Sequence, residues 1–576
     1  MIHYICKYTP VEIFGGFGEE AQLYNSMFEN LDLADHLIHR NVCSFSRALI
    51  TGRLHEASKP LVLTDCCDSI RRAYDLLKEE GQDVYIIYLP RKQDERSVAL
   101  YKNEILKLIK ALEKGMGREF HYDKFLSAFY NRKEYGGKGD DPNTAFHNNR
   151  LCQKPHVIVA GARIGEELLE KIRKISPLPV VNHTCTGLRS VGKPPTGASF
   201  DQILEWYTRE LLSQTPCMRM NDISSRKGLL DKPNIRGIIY NTINFCDYYG
   251  FEYAAIRDRR DIPMVKIESD FTTQGAGQIL TRLGAFFEGL NREEASSTGK
   301  ITTRGDKEYF AGIDSGSTST NVVILDGNKN IVSSYSVATG ARVNESANRA
   351  LEEALKKAGI GKDQIKGTVT TGYGRNAIGF RERDITEITC HAKGAYFLNP
   401  KVRTIIDIGG QDSKIIRLND RGEVQDFVMN DKCAAGTGRF LEMMATSLGL
   451  TLEEMGVMGL SAKEKITISS MCSVFAQSEV VSLVASGKNV EDIVGGINRS
   501  IAAKITALAG RSKLEREWMM TGGVARNPGV VAAIEERLQG RIIVPEEPEI
   551  CGALGAALFA YEGKASYQNP SKAHVY

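Results

Sequence analysis

Two hydrophobic patterns alternate along the first half of the chain. Short apolar runs with the composition of buried parallel strands occur at 84–89, 156–160, 180–181, 237–240 and 264–267. Longer amphipathic segments, such as 94–114 and 165–175, have helical periodicity and lie between those runs. The alternation predicts two α/β subdomains with parallel sheets, of the flavodoxin-like or Rossmann-like kind, within residues 1–290.

A polar segment separates the two halves of the chain. Residues 291–307 show no apolar period, which is typical of a linker between domains. A second polar stretch, at 132–149, is rich in Gly, Asn and charged residues and predicts a surface loop between the two subdomains. The predicted organisation is therefore a first region at 1–290, a linker at 291–307 and a second region at 308–565.

The second region opens with a strand–turn–strand pattern. Apolar residues run up to Asp314, give way to a turn of small polar residues and then resume, and the same design recurs around Asp407. A third apolar run ends in the pair Gly522 and Gly523. The P-loop signature G-x-x-x-x-G-K-S/T is absent from the sequence. Two similar hairpins predict a duplicated α/β fold whose halves close over a nucleotide.

The overall composition is that of a globular protein, with 42% hydrophobic and 25% charged residues among 576. Because 74 basic and 71 acidic residues leave a net charge of only +3, neither nucleic acid nor an anionic membrane is expected as a partner. No apolar run approaches the ~20 residues of a membrane span, and the first residues lack the apolar core of a signal peptide. We therefore expect a cytoplasmic protein whose twelve cysteines are reduced thiols, redox groups or metal ligands.

Two cysteines of the second region precede helix-like runs. Cys433 and Cys472 are each followed by apolar residues at helical spacing, so each is predicted at a helix N-terminus. The free N–H groups and the dipole of that helix end stabilise a thiolate. Two cysteines in one subunit cannot complete a four-cysteine cluster site, but two copies of the chain can. The pattern indicates an iron–sulfur cluster on the axis of a homodimer, with two buried structural cysteines as the alternative.

Eight further cysteines precede the linker, and most of them lie at a predicted strand end or helix start. They are Cys6, Cys43, Cys66, Cys67, Cys152, Cys185, Cys217 and Cys246. Ligand sites of open α/β sheets form outside the carboxyl ends of the strands, so most of these thiols are predicted to converge on one cofactor. Nearby basic residues that could offset their charge are Arg47, Arg71, Arg189 and Arg219. Cysteines scattered through separate cores are the alternative.

Residues 309–563 resemble the ATPase activators of 2-hydroxyacyl-CoA dehydratases and the ATPase subunits of benzoyl-CoA reductase. The resemblance rests on the two hairpins, on Thr370-Thr-Gly-Tyr-Gly-Arg375 and on the two cysteine segments. These proteins belong to the actin-like (ASKHA) superfamily, which also holds hexokinase and the heat-shock chaperone ATPases. The resemblance implies hydrolysis of ATP bound with Mg²⁺, and a 4Fe-4S cluster that Cys433 and Cys472 of two chains hold between them.

The same resemblance implies roles for the hairpin residues. Asp314 and Asp407 would flank the triphosphate through waters on Mg²⁺, and Gln411 would position the attacking water. Donors to the phosphate oxygens would come from Ser315, Gly316, Ser317, Thr318 and Ser319. Gly409 and Gly410 would allow close approach of the backbone, and Gly522 and Gly523 would lie against the adenosine. From the residues alone, His391 is interpreted as an ordinary polar residue and not a ligand, and Lys414 could equally be a solvated strand residue.

The first region resembles the cluster-carrying subunits of 2-hydroxyacyl-CoA dehydratases over nearly all of 1–290. The residues that carry this likeness are Pro10-Val-Glu12, the Cys43 segment, Cys67-Asp-Ser-Ile-Arg-Arg, Cys185-Thr-Gly-Leu-Arg, Phe245-Cys-Asp and 278–288. Those subunits hold one cubane through three cysteines, whereas this sequence offers more, as do the double-cubane proteins of the same superfamily. An 8Fe-9S double cubane takes six thiolates. The candidates are Cys43, Cys67, Cys185, Cys217 and Cys246, with Cys66 or, less favoured, Cys152 as the sixth.

Together the two resemblances favour an ATP-dependent iron–sulfur reductase. Its ATPase half would take electrons from a ferredoxin or flavodoxin and pass them to the centre in the first region, where a small substrate is reduced. One alternative is an activator of a separate 2-hydroxyacyl-CoA dehydratase or benzoyl-CoA reductase, with the first region as a docking module. Another is a sugar or acetate kinase of the ASKHA superfamily, against which the helix-opening positions of Cys433 and Cys472 argue.

Overall fold

The structure is a computed structural model that describes residues 1–55, 59–130, 154–187, 189–230, 234–257, 262–273, 276–295, 308–430, 434–468, 472–510 and 514–563. The chain forms two compact units, the first within Met1–Leu283 and the second beginning at Gly284. The predicted loop at 132–149 lies outside the described residues, as do Cys152 and Cys433. None of the described helices is both long and apolar enough to span a lipid bilayer.

The first unit contains two four-stranded parallel sheets. One consists of β1 (Ile2–Tyr4), β2 (Ala21–Leu23), β3 (Leu61–Thr64) and β4 (Val84–Ile87), in the order β2-β1-β3-β4. The other consists of β5 (His156–Gly161), β6 (Val180–Thr184), β7 (Ile235–Ile243) and β8 (Met264–Ser269), in the order β6-β5-β7-β8. Both have the strand order of flavodoxin-like folds, so the predicted pair of doubly wound subdomains is confirmed.

Eleven helices are described in or next to this unit. They are α1 (Glu12–Gly16), α2 (Asp32–Asp35), α3 (Ser44–His55), α4 (Asp68–Glu79), α5 (Glu95–Met116), α6 (Tyr122–Tyr130), α7 (Glu166–Ile175), α8 (Phe200–Leu212), α9 (Ser224–Leu229), α10 (Asp247–Ile256) and α11 (Ala276–Ala295). Helix α5 shows how the sequence specifies them. Its N-cap residue Asp94 accepts a hydrogen bond from the Ser97 N–H, its stripe around Tyr101 and Ile105 is buried, and Gly117 ends it at a φ of 62°.

Helix α11 extends into the predicted linker. Residues 291–295 are helical, and residues 296–307 lie outside the described part of the chain. The lack of an apolar period in this stretch predicts no helix. Once its earlier turns are formed, however, a helix can extend through polar residues without a new nucleation cost.

The second unit contains two five-stranded sheets of identical topology. The first consists of β9 (Tyr309–Ser315), β10 (Ser319–Leu325), β11 (Ile331–Ala338), β12 (Ile365–Thr371) and β13 (Arg383–Asp384), in the order β11-β10-β9-β12-β13. The second consists of β14 (Thr404–Ile408), β15 (Ser413–Leu418), β16 (Val424–Asn430), β17 (Trp518–Thr521) and β18 (Ile542–Ile543), in the order β16-β15-β14-β17-β18. In each sheet an antiparallel three-stranded meander is extended by two parallel strands. This duplication confirms the predicted actin-like fold.

Two helices of the second unit approach each other through glycines. The described helices of this unit beyond α11 are α12 (Val343–Ala358), α13 (Glu387–Leu398), α14 (Gly438–Leu448), α15 (Leu452–Met458), α16 (Ser473–Ala485), α17 (Val490–Ala509), α18 (Pro528–Leu538) and α19 (Cys551–Glu562). A Cβ at Gly394 of α13 would lie 2.2 Å from the Cys551 carbonyl oxygen, and one at Gly555 of α19 would lie 1.8 Å from that of Cys390. Cys390 and Cys551 are thus buried packing residues between α13 and α19.

Candidate functional site

The tips of two hairpins in the second unit line an open cleft of about 1300 Å³, a volume that includes the solvent at its mouth. One hairpin joins β9 to β10 and the other joins β14 to β15. Among the residues predicted to bind nucleotide or Mg²⁺, those that line this cleft are Asp314, Gly316, Ser317, Thr318, Ser319, Asp407, Gly409, Gly410, Gly522 and Gly523. Segments that are far apart in the sequence therefore meet at one site.

Two of the predicted residues lie elsewhere. Ser315 is fully buried behind the first hairpin, where its Oγ lies 3.0 Å from Oγ1 of Thr320. Gln411 is exposed and does not line the cleft, whereas the next residue, Asp412, is buried and does. Side chains alternate in direction along extended backbone, so neighbouring hairpin residues face opposite sides. A motif read from the sequence alone does not give this alternation.

The tips of the two hairpins approach each other at Gly410. A Cβ at this position would lie 2.0 Å from Oγ1 of Thr318 on the first hairpin, so no larger residue fits without displacing the tips. Gly522 is required for a different reason. Its φ is +83°, and a Cβ there would lie 2.4 Å from the Ile408 carbonyl oxygen.

Helix α13 places His391 between the two cleft aspartates. Its Nε2 lies 3.8 Å from Oδ2 of Asp314, and its Nδ1 lies 3.5 Å from Oδ1 of Asp407. Thr521, at the end of β17, donates a hydrogen bond of 2.9 Å to the same Asp407 oxygen. No spacing in the sequence links a histidine within a helix to these distant hairpins. The interpretation of His391 as an ordinary polar residue therefore misses its position in the site.

Lys414 of β15 is buried and pairs with three carboxylates of the cleft. Its Nζ lies 2.8 Å from Glu387, 2.8 Å from Asp412 and 3.3 Å from Asp407. Burial by itself would lower the pKa of Lys414, but the three carboxylates raise that pKa well above its ordinary value. The ammonium group therefore stays charged and fixes the positions of the carboxylates. The sequence alone does not distinguish this buried lysine from a solvent-exposed lysine on a strand.

The two cleft aspartates differ in their affinity for a proton. Burial raises the pKa of Asp314 to about 6, an effect that His391 reduces and that neighbouring carboxylates increase. Burial acts on Asp407 in the same direction, but His391 and Lys414 outweigh it and hold the pKa of Asp407 below its ordinary value. Asp407 is therefore anionic at neutral pH. Asp314 gains more than Asp407 from a cation placed beside it, because its carboxylate is less well compensated.

The second hairpin is hydrogen-bonded to the helix that follows Cys433. The Gly409 carbonyl accepts from the Gly438 N–H at 2.9 Å, and the Gly410 carbonyl accepts from the Arg439 N–H at 2.9 Å. Helix α14 starts at Gly438, so a short segment separates it from Cys433, which was expected at the helix N-terminus and lies outside the described residues. The second hairpin and helix α14 are thus directly connected.

Cys472 is the N-cap residue of helix α16, as the sequence predicts, and it is exposed. Helix α16 contacts α14 through a hydrogen bond of 2.9 Å from Nε2 of Gln477 to Oγ of Ser447. Val474 and Phe475, next to the cysteine, are 64% and 68% exposed. An exposed thiol with exposed apolar neighbours is suited to contact with a second chain.

Seven thiols of the first unit line a single cavity, whose empty space is about 540 Å³ when the solvent at its mouth is included. Six of them are the cysteines predicted to converge on a cofactor, Cys43, Cys66, Cys67, Cys185, Cys217 and Cys246, and the seventh is Cys6. Burial raises the pKa of the Cys6 thiol to about 11, and neighbouring Cys217 adds to the effect. Cys6 follows a strand of only three residues, which is too short to give a periodic signal in the sequence.

Buried cationic side chains surround this cavity. Arg163 and Arg219 line it, and Lys7 is buried among its thiols. Burial lowers the pKa of Lys7 to about 8 and that of Arg163 to about 10. Burial would also lower the pKa of Arg219, but Cys66 and Cys67 raise it well above its ordinary value. These groups can offset the negative charge of several thiolates.

Only Arg219 of the four arginines predicted near the thiols lines the cavity. The other three pair with carboxylates: Arg47 with Asp35, Arg71 with Asp65, and Arg189 with Glu12. The Arg189–Glu12 pair is buried, and the Tyr207 hydroxyl also donates to Glu12. These three arginines therefore hold backbone segments in place instead of facing the thiols.

The cavity fits a polynuclear iron–sulfur centre better than a single metal ion. A single ion such as zinc needs thiolates within about 2.3 Å of one point. Over the described ranges, no three Cys, His, Asp or Glu side chains come close enough together to hold one ion. In an iron–sulfur cluster each thiolate binds a different iron atom, so the thiols need not meet at one point. Thiols distributed around a cavity, with cations beside them, therefore suit such a cluster.

The sequence matches two protein families, one in each half. Residues 311–560 match the BadF/BadG/BcrA/BcrD ATPase family, and residues 6–154 and 145–290 match the family of the 2-hydroxyglutaryl-CoA dehydratase D-component. The activator of lactoyl-CoA dehydratase from Anaerotignum propionicum is 50% identical over 254 residues, which are 98% of that protein and 44% of this chain. The (R)-2-hydroxyglutaryl-CoA dehydratase activating ATPase from Acidaminococcus fermentans is 44% identical over 258 residues, 98% of its length and 45% of this chain.

A solved structure of the activator of the 2-hydroxyisocaproyl-CoA dehydratase from Clostridium difficile, with bound ADPNP, is 43% identical to this chain. It matches with a TM-score of 0.43, over 44% of this chain and 94% of that one. The three relatives therefore correspond to less than half of this polypeptide. The chain belongs to the BadF/BadG/BcrA/BcrD ATPase family through residues 311–560, and it joins that ATPase to a region of the 2-hydroxyglutaryl-CoA dehydratase D-component family in one polypeptide.

Proposed function

We propose that this chain is an ATP-dependent iron–sulfur reductase. ATP hydrolysis in the second unit would drive electrons at low potential to a centre held by the thiols of the first unit, where a small substrate is reduced. The observation that carries the proposal is that seven thiols surround one cavity in the same polypeptide as the ATPase cleft. Joining donor and acceptor in one chain raises their effective concentration.

The cleft is suited to MgATP. Ser317, Thr318 and Ser319 line the cleft and would offer donors to phosphate oxygens, whereas the Gly316 N–H already donates to the Ser319 carbonyl. Asp314 and Asp407 would hold a hydrated Mg²⁺. A Cβ on Gly523 would meet no atom within 4 Å, which leaves open space for the adenosine beside this residue. His391 and Lys414 hold the carboxylates in place and need not touch the nucleotide themselves.

Movement of the hairpins on hydrolysis would reach the predicted cluster cysteines through hydrogen bonds. The Gly409 and Gly410 carbonyls hold the start of helix α14, and Gln477 connects that helix to α16, which Cys472 caps. Loss of the γ-phosphate would change the contacts at the hairpin tips, and the packed helices α14 and α16 would shift in response. Cys433 and Cys472 of two chains would supply four thiolates, and the 4Fe-4S cluster they hold supplies one-electron transfer when bound.

The proposed partners follow from this arrangement. The protein would act as a homodimer through Cys433 and Cys472 and receive electrons from a ferredoxin or flavodoxin. Exposed Val474 and Phe475 beside Cys472 support contact with a second copy. A kinase of the same superfamily is the weaker alternative, because residues 311–560 match an ATPase family.

A second candidate function is activation of a separate dehydratase. It is favoured by the names of two relatives, an activator of lactoyl-CoA dehydratase and a (R)-2-hydroxyglutaryl-CoA dehydratase activating ATPase. In that case the first unit would dock onto the separate enzyme, and its thiols would need no cluster.

The iron and acid-labile sulfide content of the chain, purified without oxygen, separates these functions. The reductase is expected to hold about ten irons per chain, because a double cubane has about eight and half of a shared four-iron cluster has about two. An activator would hold about two, and a kinase none. A value of about two, with an empty thiol cavity, would overturn the proposal.

A further inference from the structure

The cavity of the first unit has seven thiols, one more than a double cubane takes. The hydrogen bonds of the surrounding loops distinguish these thiols from one another. They separate two groups of three and leave one cysteine with a different environment.

The first group is tied together by the backbone carbonyl of Lys7. This oxygen accepts a hydrogen bond of 3.0 Å from Nε of Arg189 and one of 3.3 Å from Nε2 of Gln214. The three residues joined here each lie close in sequence to one cavity thiol. Lys7 follows Cys6, Arg189 comes soon after Cys185, and Gln214 comes shortly before Cys217. One buried acceptor thus fixes three loops that come from both sheets of the unit. The Arg189–Glu12 pair, buried on both sides, strengthens the same junction.

The second group lies at the N-terminal ends of helices. Cys67 caps α4, Cys246 caps α10, and the Cys43 carbonyl accepts from the Arg47 N–H in the first turn of α3. The loops of Cys43 and Cys246 are also joined directly, because the Ser44 N–H donates a hydrogen bond of 3.1 Å to the Asn244 carbonyl. Helix N-termini stabilise thiolates, so these three positions share one electrostatic character.

Cys66 belongs to neither group. It lies between β3 and the cap of α4 and is buried. It caps no helix, and its carbonyl accepts only a long hydrogen bond of 3.4 Å from Arg91. A thiol in this position can donate its S–H to a neighbouring thiolate without binding metal.

We propose that Cys6 is a ligand of the centre in the first unit. Cys6, Cys185 and Cys217 hold one cubane, Cys43, Cys67 and Cys246 hold the other, and Cys66 binds no iron. This assignment rests on the proposed function, and it replaces both Cys66 and Cys152 as the sixth ligand. Loops around the first sheet contribute Cys6, Cys43 and Cys67, loops after β6 and β7 of the second sheet contribute Cys185 and Cys246, and the segment after α8 contributes Cys217. Each cubane therefore bridges the two sheets.

Cys6→Ala and Cys66→Ala are matched variants of the full chain, since both remove a sulfur atom from the same cavity. Cys6→Ala is expected to lose about four of about ten irons per chain, whereas Cys66→Ala is expected to keep all of them. Circular dichroism and MgADP binding in the second unit show that each variant is folded. Full iron in Cys6→Ala, or equal iron loss in Cys66→Ala, would overturn the assignment.

The wild-type chain separates this assignment from the function on which it rests. About two irons in the wild type would overturn the reductase itself, and about six would overturn the division into two cubanes while leaving a reductase with one. If either variant fails to fold, anomalous X-ray diffraction at the iron edge from crystals of the wild-type protein gives the answer. We expect the Cys6 sulfur to be bonded to iron and the Cys66 sulfur not to be. The opposite result would refute the assignment.

Discussion

Nδ1 of His391 lies 3.5 Å from Oδ1 of Asp407. His391 belongs to helix α13, which is part of neither hairpin. Its other ring nitrogen faces Asp314, with 3.8 Å between Nε2 and Oδ2. One side chain thus lies within 4 Å of a cleft carboxylate from each hairpin. In the proposed function, His391 would fix the separation of these carboxylates, and the alignment of MgATP would depend on that separation.

Loss of His391 is expected to affect turnover more than binding. We expect His391→Ala to lower kcat for ATP hydrolysis by about 10- to 100-fold, because a small misplacement of catalytic groups is costly, and to change the Kd for MgADP by less than about threefold. His391→Gln retains a hydrogen-bonding group and should recover part of kcat. Steady-state ATPase assays and equilibrium binding measure both quantities. Equal losses in kcat and affinity would show that His391 serves only the fold.

Lys414 should be required for the stability of the second unit. Lys414→Met leaves three carboxylates without their buried cation and should reduce the free energy of unfolding by about 3–5 kcal/mol. Lys401→Met, at an exposed position, is the control and should change it by less than about 0.5 kcal/mol. The sequence has two tryptophans, so Trp518 fluorescence in a Trp206→Phe background reports urea unfolding of this unit. Similar stability in both lysine variants would contradict the account.

Asp412 and Gln411 are adjacent, but only Asp412 lines the cleft. The water-positioning role of Gln411 stays a prediction, since it requires the side chain to turn inwards when nucleotide binds. From the geometry, Asp412→Asn should lower kcat by about tenfold or more, and Gln411→Ala by about twofold or less. A larger loss of kcat in Gln411→Ala, at unchanged nucleotide affinity, would restore that role to Gln411.

The glycine pair after β17 tests the position of the adenosine. Gly523→Ala adds a methyl group to open space in the cleft, so we expect nucleotide affinity to fall by about tenfold with unchanged stability. Gly522→Ala should instead destabilise the unit, because its φ is +83° and a Cβ would lie 2.4 Å from the Ile408 oxygen. Calorimetric binding and thermal unfolding distinguish the two effects. Unchanged affinity in Gly523→Ala would place the adenosine elsewhere.

Several parts of this structure could be predicted from the sequence because their signals are local. Asp314 and Asp407 each end an apolar run before a turn of small residues, so their hairpins are visible without any tertiary information. Cys472 precedes a helical period, and it does cap a helix. The pairing of hairpins into a duplicated fold followed from their likeness to each other.

The parts that escaped prediction depend on tertiary contacts. His391 and Lys414 look like ordinary helix and strand residues until α13 and β15 bring them to the cleft. Cys6 follows a strand of three residues, and it shares a cavity with Cys217 only because the segment after α8 packs into the core of the first sheet. The outward direction of Gln411 reflects the alternation of side chains at a hairpin tip, which a shift of one residue would reverse.

The most direct test of the central claim follows electrons into the first unit. The full chain is prepared without oxygen, supplied with reduced ferredoxin, and frozen for electron paramagnetic resonance after addition of MgATP or, in parallel, MgADP. A signal that is absent from Cys185→Ala identifies the centre of the thiol cavity. The account predicts that this signal grows only with MgATP, and that Asp314→Ala and Cys472→Ala abolish the growth. The same signal with MgADP, or its persistence in Cys472→Ala, would contradict ATP-driven transfer from the second unit to the first.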